Sequence, residues 1–169
     1  MVDAYLELLE LAYFEIKIAF EGLADENVWK RPAEGLLSVG ELAGHLAYWE
    51  AIRLAGESEG PDADQVKCPV SSPLIDPRFS YYPKTKTNPP SEQHLAMTAD
   101  QVCRELVRVH EEAIAHFKAR SPDLESKAAG IPANYTYREF LKYAVFHVSY
   151  HAGQVYSVRH LLGDATPHN

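Results

Sequence analysis

The chain has 169 residues and a mass of 18.9 kDa, which predicts a single domain covering residues 1–169. Apolar residues make up 46% of the sequence and charged residues 24%, as is ordinary for globular proteins that fold in water. The 16 basic residues are outnumbered by 24 acidic ones, and the net charge of -8 argues against nucleic acid and against an anionic membrane surface as partners.

Segments for export or membrane insertion are not expected. The sequence holds no run near the ~18 apolar residues that a membrane span needs, and Asp3, Glu7 and Glu10 interrupt the apolar character that a signal peptide would require. Two cysteines, Cys68 and Cys103, do not form a disulfide framework. We therefore expect a cytoplasmic protein.

The first predicted helix extends from about Asp3 to Gly22, because its apolar residues recur every three or four positions. The resulting apolar face consists of Leu6, Leu9, Tyr13, Ile16, Phe20 and Leu23. A connection that contains Arg31-Pro32 and Gly35 follows this helix.

The second predicted helix begins at Ser38, which forms a capping box with Glu41, and it ends near Ala55-Gly56. Its core-facing row consists of Leu42, His45, Trp49 and Ile52. One member of an otherwise apolar row is therefore a histidine.

An irregular segment, residues 56–97, separates the second helix from the third and holds seven of the 11 prolines. A structureless insert of this length is uncommon in a compact domain and is usually functional or mobile. Its aromatic cluster of Phe79, Tyr81 and Tyr82 indicates that the middle of the segment packs on the body of the protein. We interpret the segment as a long crossover and a candidate lid.

Two more amphipathic helices complete the chain. The third begins after Thr98 or Asp100 and ends at Ser121-Pro122, and the fourth begins with a capping box formed by Thr136 and Glu139. Their core-facing rows are Val102, Leu106, Val109, Ala113 and Phe117, and then Phe140, Ala144, His147, His151, Val155, Val158 and Leu162. Four amphipathic helices without a convincing strand pattern predict an all-α protein, a four-helix bundle.

Three of the eight histidines lie in these core-facing rows: His45, His147 and His151. Residues four apart are neighbours on one helix face, so His147 and His151 can share a metal ion, and His45 from a facing helix would complete a three-histidine site. A buried polar group without a partner costs about 2 kcal/mol or more, which coordination offsets. Neutral imidazole suits zinc, nickel, iron or copper, and three protein ligands leave a position for water or substrate.

Each histidine taken alone has a simpler interpretation, which is a hydrogen bond within the core. The remaining five histidines receive this structural interpretation: His94, His110, His116, His160 and His168.

Two known metal motifs are also excluded. Val148 occupies the position where metalloproteases have their general-base glutamate, and the paired Glu-x-x-His arrangement of di-iron bundles is missing.

Two short motifs resemble those of the DinB/YfiT-like superfamily of predicted metalloenzymes. Residues 38–46, SVGELAGHL, resemble its second-helix motif, and residues 147–154, HVSYHAGQ, resemble its fourth-helix motif. The resemblance implies an up-down-down-up bundle with a long crossover between helices two and three, metal ligands at His45, His147 and His151, and a homodimer. Some relatives transfer or isomerise with a low-molecular-weight thiol, and many have no assigned reaction.

We therefore expect a metal-dependent enzyme that acts on a small molecule through a divalent metal ion, with zinc or nickel ahead of iron. Thiol (S-) transfer, with a low-molecular-weight thiol as substrate, and hydrolysis are alternative reactions. A non-catalytic metal- or ligand-binding dimer and a purely structural bundle are the alternative classes.

Three further residues are candidates for the pocket. Trp49 and Tyr143 are either pocket walls or ordinary core residues, and Gln154 either faces the open coordination position or hydrogen-bonds a ligand. Spacing alone names no general acid or base.

Overall fold

The computed structural model describes residues 2–58, 66–81, 88–128 and 135–167. Within these ranges the chain is mostly helical, with one pair of two-residue strands, and this confirms the all-α prediction. The helices are α1 (Val2–Phe20), α2 (Asp25–Val28), α3 (Val39–Glu50), α4 (Glu92–Leu95), α5 (Ala99–Arg120) and α6 (Tyr137–Leu161). A π-helical turn (Ala51–Ala55) extends α3, a 3-10 turn (Pro77–Ser80) lies in the crossover, and β1 (Glu57–Ser58) pairs antiparallel with β2 (Val66–Lys67).

Capping boxes fix where the long helices begin. The Ser38 side chain accepts from the backbone N–H of Glu41, whose carboxylate accepts from the backbone N–H of Ser38. Thr136 and Glu139 form the same pair before α6. Thr98 caps α5, so this helix begins at the first of the two predicted positions. Each box satisfies backbone donors that the first helical turn leaves unpaired.

The four long helices enclose one apolar core. Helix α1 packs on α5 and α6, and α3 packs on the same two helices. The entire predicted apolar face of the first helix is buried, from Leu6 to Leu23. Removal of this surface from water is the main force that stabilises the assembly of helices. No helix in the described ranges has both the length and the hydropathy that crossing a bilayer requires.

The end of α3 differs from the predicted uninterrupted α-helix. The backbone N–H of Gly56 donates to the carbonyl of Ala51, a bond across five residues that defines the π-helical turn. A Cβ at Gly56 would lie 2.2 Å from the Ile52 carbonyl oxygen, so a residue with a side chain does not fit there. The sequence pattern predicts where the helix ends but not that its last turn widens.

The described part of the crossover packs tightly on α3. The Phe79 side chain is fully buried, and its ring lies over Gly44, where a Cβ would approach the ring to 2.5 Å. This close approach places the backbone of the 3-10 turn beside the next residue of α3, His45. Tyr82 of the predicted aromatic cluster lies outside the described residues, as do 59–65 and 83–87 of the candidate lid.

Candidate metal centre

The structure brings together the three histidines of the core-facing rows. The Nε2 atom of His147 lies 3.1 Å from the Nε2 of His45 and 3.1 Å from the Nε2 of His151. Together they form a group whose candidate ligand atoms all lie within 4.8 Å of one another. His45 is carried by α3, whereas His147 and His151 lie one turn apart on α6, as the sequence predicts.

The opposite ring nitrogens of two histidines have oxygen partners. The Nδ1–H of His45 donates to the backbone carbonyl of Phe79 at 2.8 Å. The Nδ1–H of His151 donates to Oε1 of Gln154 at 2.6 Å, and the amide nitrogen of Gln154 in turn donates to the Tyr150 hydroxyl. Because these oxygens accept a proton at Nδ1, the Nε2 atoms of His45 and His151 carry free lone pairs. Hydrogen bonds of this kind orient histidine ligands in metal sites.

Burial keeps the three imidazoles uncharged. Desolvation is the largest cause that lowers the pKa of His147 to about 2, and electrostatic interactions with His151, His45 and Arg53, which oppose a positive charge on His147, lower it further. Desolvation also lowers the pKa of His151 to about 4, although its hydrogen bond to Gln154 opposes the shift. The pKa of His45 is lowered for the same reason. At neutral pH all three rings are therefore in the neutral form that binds metals.

The donor set fits a single metal ion. His45 and His151 direct unprotonated nitrogens toward His147, and a proton on Nε2 of His147 could be donated to only one of them. A separation of 3.1 Å is well under twice the usual zinc–nitrogen bond of about 2.0–2.1 Å, so one ion can reach both members of each pair. A cation would satisfy all three lone pairs, which hydrogen bonding among the rings does not.

A cavity of about 310 Å³ opens beside this cluster, and two of the predicted pocket residues line it. His45 and His147 form part of its wall, together with Trp49 and Tyr143. The indole Nε1–H of Trp49 donates to the Ser80 carbonyl at 2.9 Å, which fixes the ring. The volume is at the low end of the range for small-molecule sites, roughly 300–1,000 Å³.

Gln154, the third predicted pocket residue, does not line this cavity. It lines a second cavity of about 670 Å³, where it neighbours Leu42 and Leu161. Of its two predicted roles, the geometry matches the hydrogen bond to a candidate ligand, since Gln154 accepts from His151. Tyr81 borders both cavities, and its ring lies 5.6 Å from that of His45, centroid to centroid.

A buried polar network behind the first cavity was not predicted from the sequence. Glu50, which lines the cavity, accepts from the Tyr13 hydroxyl through one carboxylate oxygen and from Nδ1 of His110 at 2.5 Å through the other. The ring of His110 stacks on that of Tyr13 with centroids 3.7 Å apart. The three residues come from α1, α3 and α5, so no single helix carries a pattern that would reveal the network.

The other described histidines lie outside the cluster. His94 is buried and completes a capping box with Ser91, and its Nε2 lies 2.7 Å from the Pro73 carbonyl. His116 is exposed, and His160 contacts the Thr166 hydroxyl. Their structural interpretation agrees with these contacts. His168 lies outside the described residues.

Comparison with known protein families shows the superfamily to which the chain belongs. The sequence model of the DinB superfamily matches residues 8–155, so the chain belongs to this superfamily. The matched span includes all three histidines of the cluster. Neither a curated protein nor a solved structure matches the chain significantly.

Proposed function

We propose that this member of the DinB superfamily is a metal-dependent enzyme in which His45, His147 and His151 bind one divalent transition metal ion. Zinc and nickel are the first candidates and iron the third, because imidazole nitrogen suits all three. The observation that carries the proposal is the convergence of three uncharged imidazoles beside a cavity large enough for a small molecule.

The protein residues around the site would have defined roles. Phe79 and Gln154 orient two of the ligands through their hydrogen bonds to Nδ1. Trp49 and Tyr143 form walls against which a small substrate packs. A metal bound there would lower the pKa of a water or thiol in the open position, which supplies a nucleophile near neutral pH.

Elemental analysis of protein purified without a metal-binding tag tests the metal site. We expect one metal per chain in the wild type and in His116→Ala, which removes an exposed histidine outside the cluster. We expect loss of the metal in His45→Ala and in His147→Ala. Metal-free wild type after careful preparation, or metal retained in both cluster variants, would overturn the proposal.

Two reactions compete within the proposed function. A thiol transferase should bind a low-molecular-weight thiol and turn over only when the thiol is supplied, whereas a hydrolase should work without it. Turnover of a small-substrate panel with and without thiol separates the two. A closed coordination sphere, with no change in the metal spectrum on adding any small ligand, would instead favour a non-catalytic module.

We also propose the up-down-down-up arrangement for α1, α3, α5 and α6. In support, Arg159 near the end of α6 donates to the carbonyls of Ala19 and Glu21 at the end of α1. Arg120, the last residue of α5, donates to the carbonyls of Leu54 and Gly56 at the end of the extended α3. These contacts support a bundle in which α1 and α6 end together and α3 and α5 end together. The long crossover between α3 and α5 permits this arrangement.

The homodimer that the family resemblance implies is also a proposal. Large apolar side chains are more than half exposed on the neighbouring helices α1 and α6, among them Leu11 at 63% and Phe146 at 61%. A second copy covering this face would remove them from water. Light scattering should give twice 18.9 kDa for the wild type and the single mass for Phe146→Glu. A monomeric wild type would refute the dimer.

A further inference from the structure

Among the described residues that line the first cavity, Glu50 is the one that can take up a proton at neutral pH. His45 and His147 would hold the metal ion, and Arg53 keeps its proton at any physiological pH. A tyrosine hydroxyl is protonated at neutral pH, and the remaining lining side chains do not titrate. A base for chemistry in this cavity would therefore be the Glu50 carboxylate.

The contacts of Glu50 hold its carboxylate in place and leave it able to accept from a ligand. Glu50 is 5% exposed, and its two oxygens accept from the Tyr13 hydroxyl and from Nδ1 of His110, the latter at 2.5 Å. Glu50 lines the cavity, whereas Tyr13 and His110 do not. A carboxylate offers about four lone-pair positions, so acceptor positions remain after these two bonds. Because both donors lie outside the cavity lining, the remaining positions are available on the cavity side.

The network around Glu50 keeps a negative charge inside the protein. Burial and the charge of Glu50 raise the pKa of the Tyr13 hydroxyl well above its ordinary value, so this hydroxyl stays a hydrogen-bond donor. Replacing buried charged pairs by well-packed apolar residues is often neutral or stabilising. Stability of the core is therefore not a sufficient reason for a carboxylate at this position.

The position of Glu50 along α3 suits a role beside the histidine cluster. Glu50 lies five residues after His45, which corresponds to about 7.5 Å along the helix axis. A general base acts on a proton within hydrogen-bond distance or through one water molecule. Val148, at the position where metalloproteases have their general-base glutamate, lines the same cavity. Helix α3 thus supplies to the cavity the carboxylate that the α6 motif lacks.

We propose that Glu50 is the proton acceptor of the cavity and that it takes the proton of a small thiol that binds at the histidine cluster. The S–H bond breaks, its electron pair stays on the sulfur, and the proton bonds to a carboxylate oxygen of Glu50. A thiolate and a carboxylate in one cavity disfavour each other, and this transfer removes one of the two negative charges. The inference rests on the proposed function, because it requires an open metal position at the cluster. It adds the ligand class, a thiol, and the residue that receives its proton.

The test counts the protons that are released to the buffer when 2-mercaptoethanol binds the full chain loaded with zinc. Isothermal titration calorimetry in buffers of different ionisation enthalpy gives this number from the slope of the observed heat. The titration is run at about pH 6, below the pKa of about 7 for zinc-bound water and about 8.5 for a thiol, so both begin protonated. We expect about zero protons per bound thiol for the wild type and about one for Glu50→Gln, whose amide does not take the proton.

A matched variant and a second measurement serve as controls. Glu111→Gln makes the same substitution at an exposed position of α5, so its proton release should equal that of the wild type. A purely structural role of Glu50 would change thiol affinity or stability but not the number of protons released at saturation. Infrared difference spectroscopy of the wild type keeps the test decisive if Glu50→Gln does not fold, because the carbonyl band of a protonated carboxyl group should appear when the thiol binds.

The outcomes separate the two proposals. Equal proton release by the wild type and Glu50→Gln, no band of a protonated carboxyl group, or no binding of the thiol to zinc-loaded protein would overturn the role of Glu50 and leave the metal enzyme standing. Failure of the wild type to bind zinc would overturn the proposed function and this inference with it.

Discussion

Replacing Gly44 by alanine should weaken metal binding although Gly44 is not a ligand. Gly44 precedes His45 in α3, and the ring of Phe79 lies directly over its backbone. An added Cβ would lie 2.5 Å from the nearest ring carbon, whereas ordinary contacts begin near 3.4 Å. The 3-10 turn must therefore move outward by about 0.9 Å, the difference between these two distances.

That movement acts on the hydrogen bond that orients His45. The Phe79 carbonyl lies 2.8 Å from Nδ1 of His45, and a shift of the same size would lengthen this distance to about 3.7 Å, beyond a hydrogen bond. Loss of such a partner typically lowers metal affinity by about 10–100-fold. Overpacking should also lower the free energy of unfolding by about 1–3 kcal/mol.

Competition with a chromophoric chelator measures the zinc affinity, and urea denaturation measures stability. Gly153→Ala on α6 is the matched control, because a Cβ there meets no atom within 4 Å. It should keep the zinc affinity within about twofold and stabilise the helix by about 0.5–1 kcal/mol. If Gly44→Ala loses stability but binds zinc as tightly as the wild type, the Phe79 carbonyl does not orient His45 and the reasoning fails.

Three further changes test the surroundings of the site. Gln154→Ala removes the acceptor for Nδ1 of His151 and should lower zinc affinity by about 10–100-fold in the same competition assay. Gln154→Glu keeps an acceptor, so its zinc affinity should fall less, and equal losses in the two variants would contradict the orienting role of Gln154. Tyr13→Phe removes one of two donors to the buried Glu50 carboxylate and should lower the free energy of unfolding by about 1–3 kcal/mol, so an unchanged urea midpoint would count against the network. Zinc affinity should change by less than about threefold from pH 7.5 to 5.5. Burial lowers the pKa values of the histidines, to about 4 for His151, so the rings stay neutral as the pH falls. Each ordinary imidazole would instead reduce the zinc affinity by about tenfold over this range, and so steep a loss would refute the desolvation argument.

The helices and the histidine cluster could be predicted because each depends on local sequence patterns. A capping box requires only Ser38 and Glu41, three residues apart, and an apolar row requires only a repeated spacing. A histidine in such a row conflicts with its apolar neighbours, and the order of the amino acids alone reveals this conflict. His147 and His151 are brought together by one helix, so their proximity follows from the spacing alone.

Other features of the site depend on contacts between distant segments. The oxygen that orients His45 is a backbone carbonyl, which any residue at position 79 would supply, so the sequence carries no sign of it. Gly44 is a partial signal, since a glycine within a helix often marks a close approach of another segment. The hydrogen bond between Glu50 and His110 joins residues 60 positions apart, and the spacing around either residue does not identify the other as its partner.

Three consecutive crossover residues connect the orientation of the candidate metal ligands to the shape of the cavity. The Phe79 carbonyl accepts from His45, and the Ser80 carbonyl accepts from the Trp49 indole, over which the guanidinium of Arg53 lies. Tyr81 places its ring beside His45 in the cavity wall. A change in this turn would therefore alter both the electronic surroundings of a bound metal and the space above it. The helical motifs can specify the histidine cluster alone, whereas in the proposed enzyme the crossover residues Ser80 and Tyr81 would shape the space that a substrate occupies. This coupling is a physical reason why superfamily membership alone would not determine the reaction of the proposed enzyme.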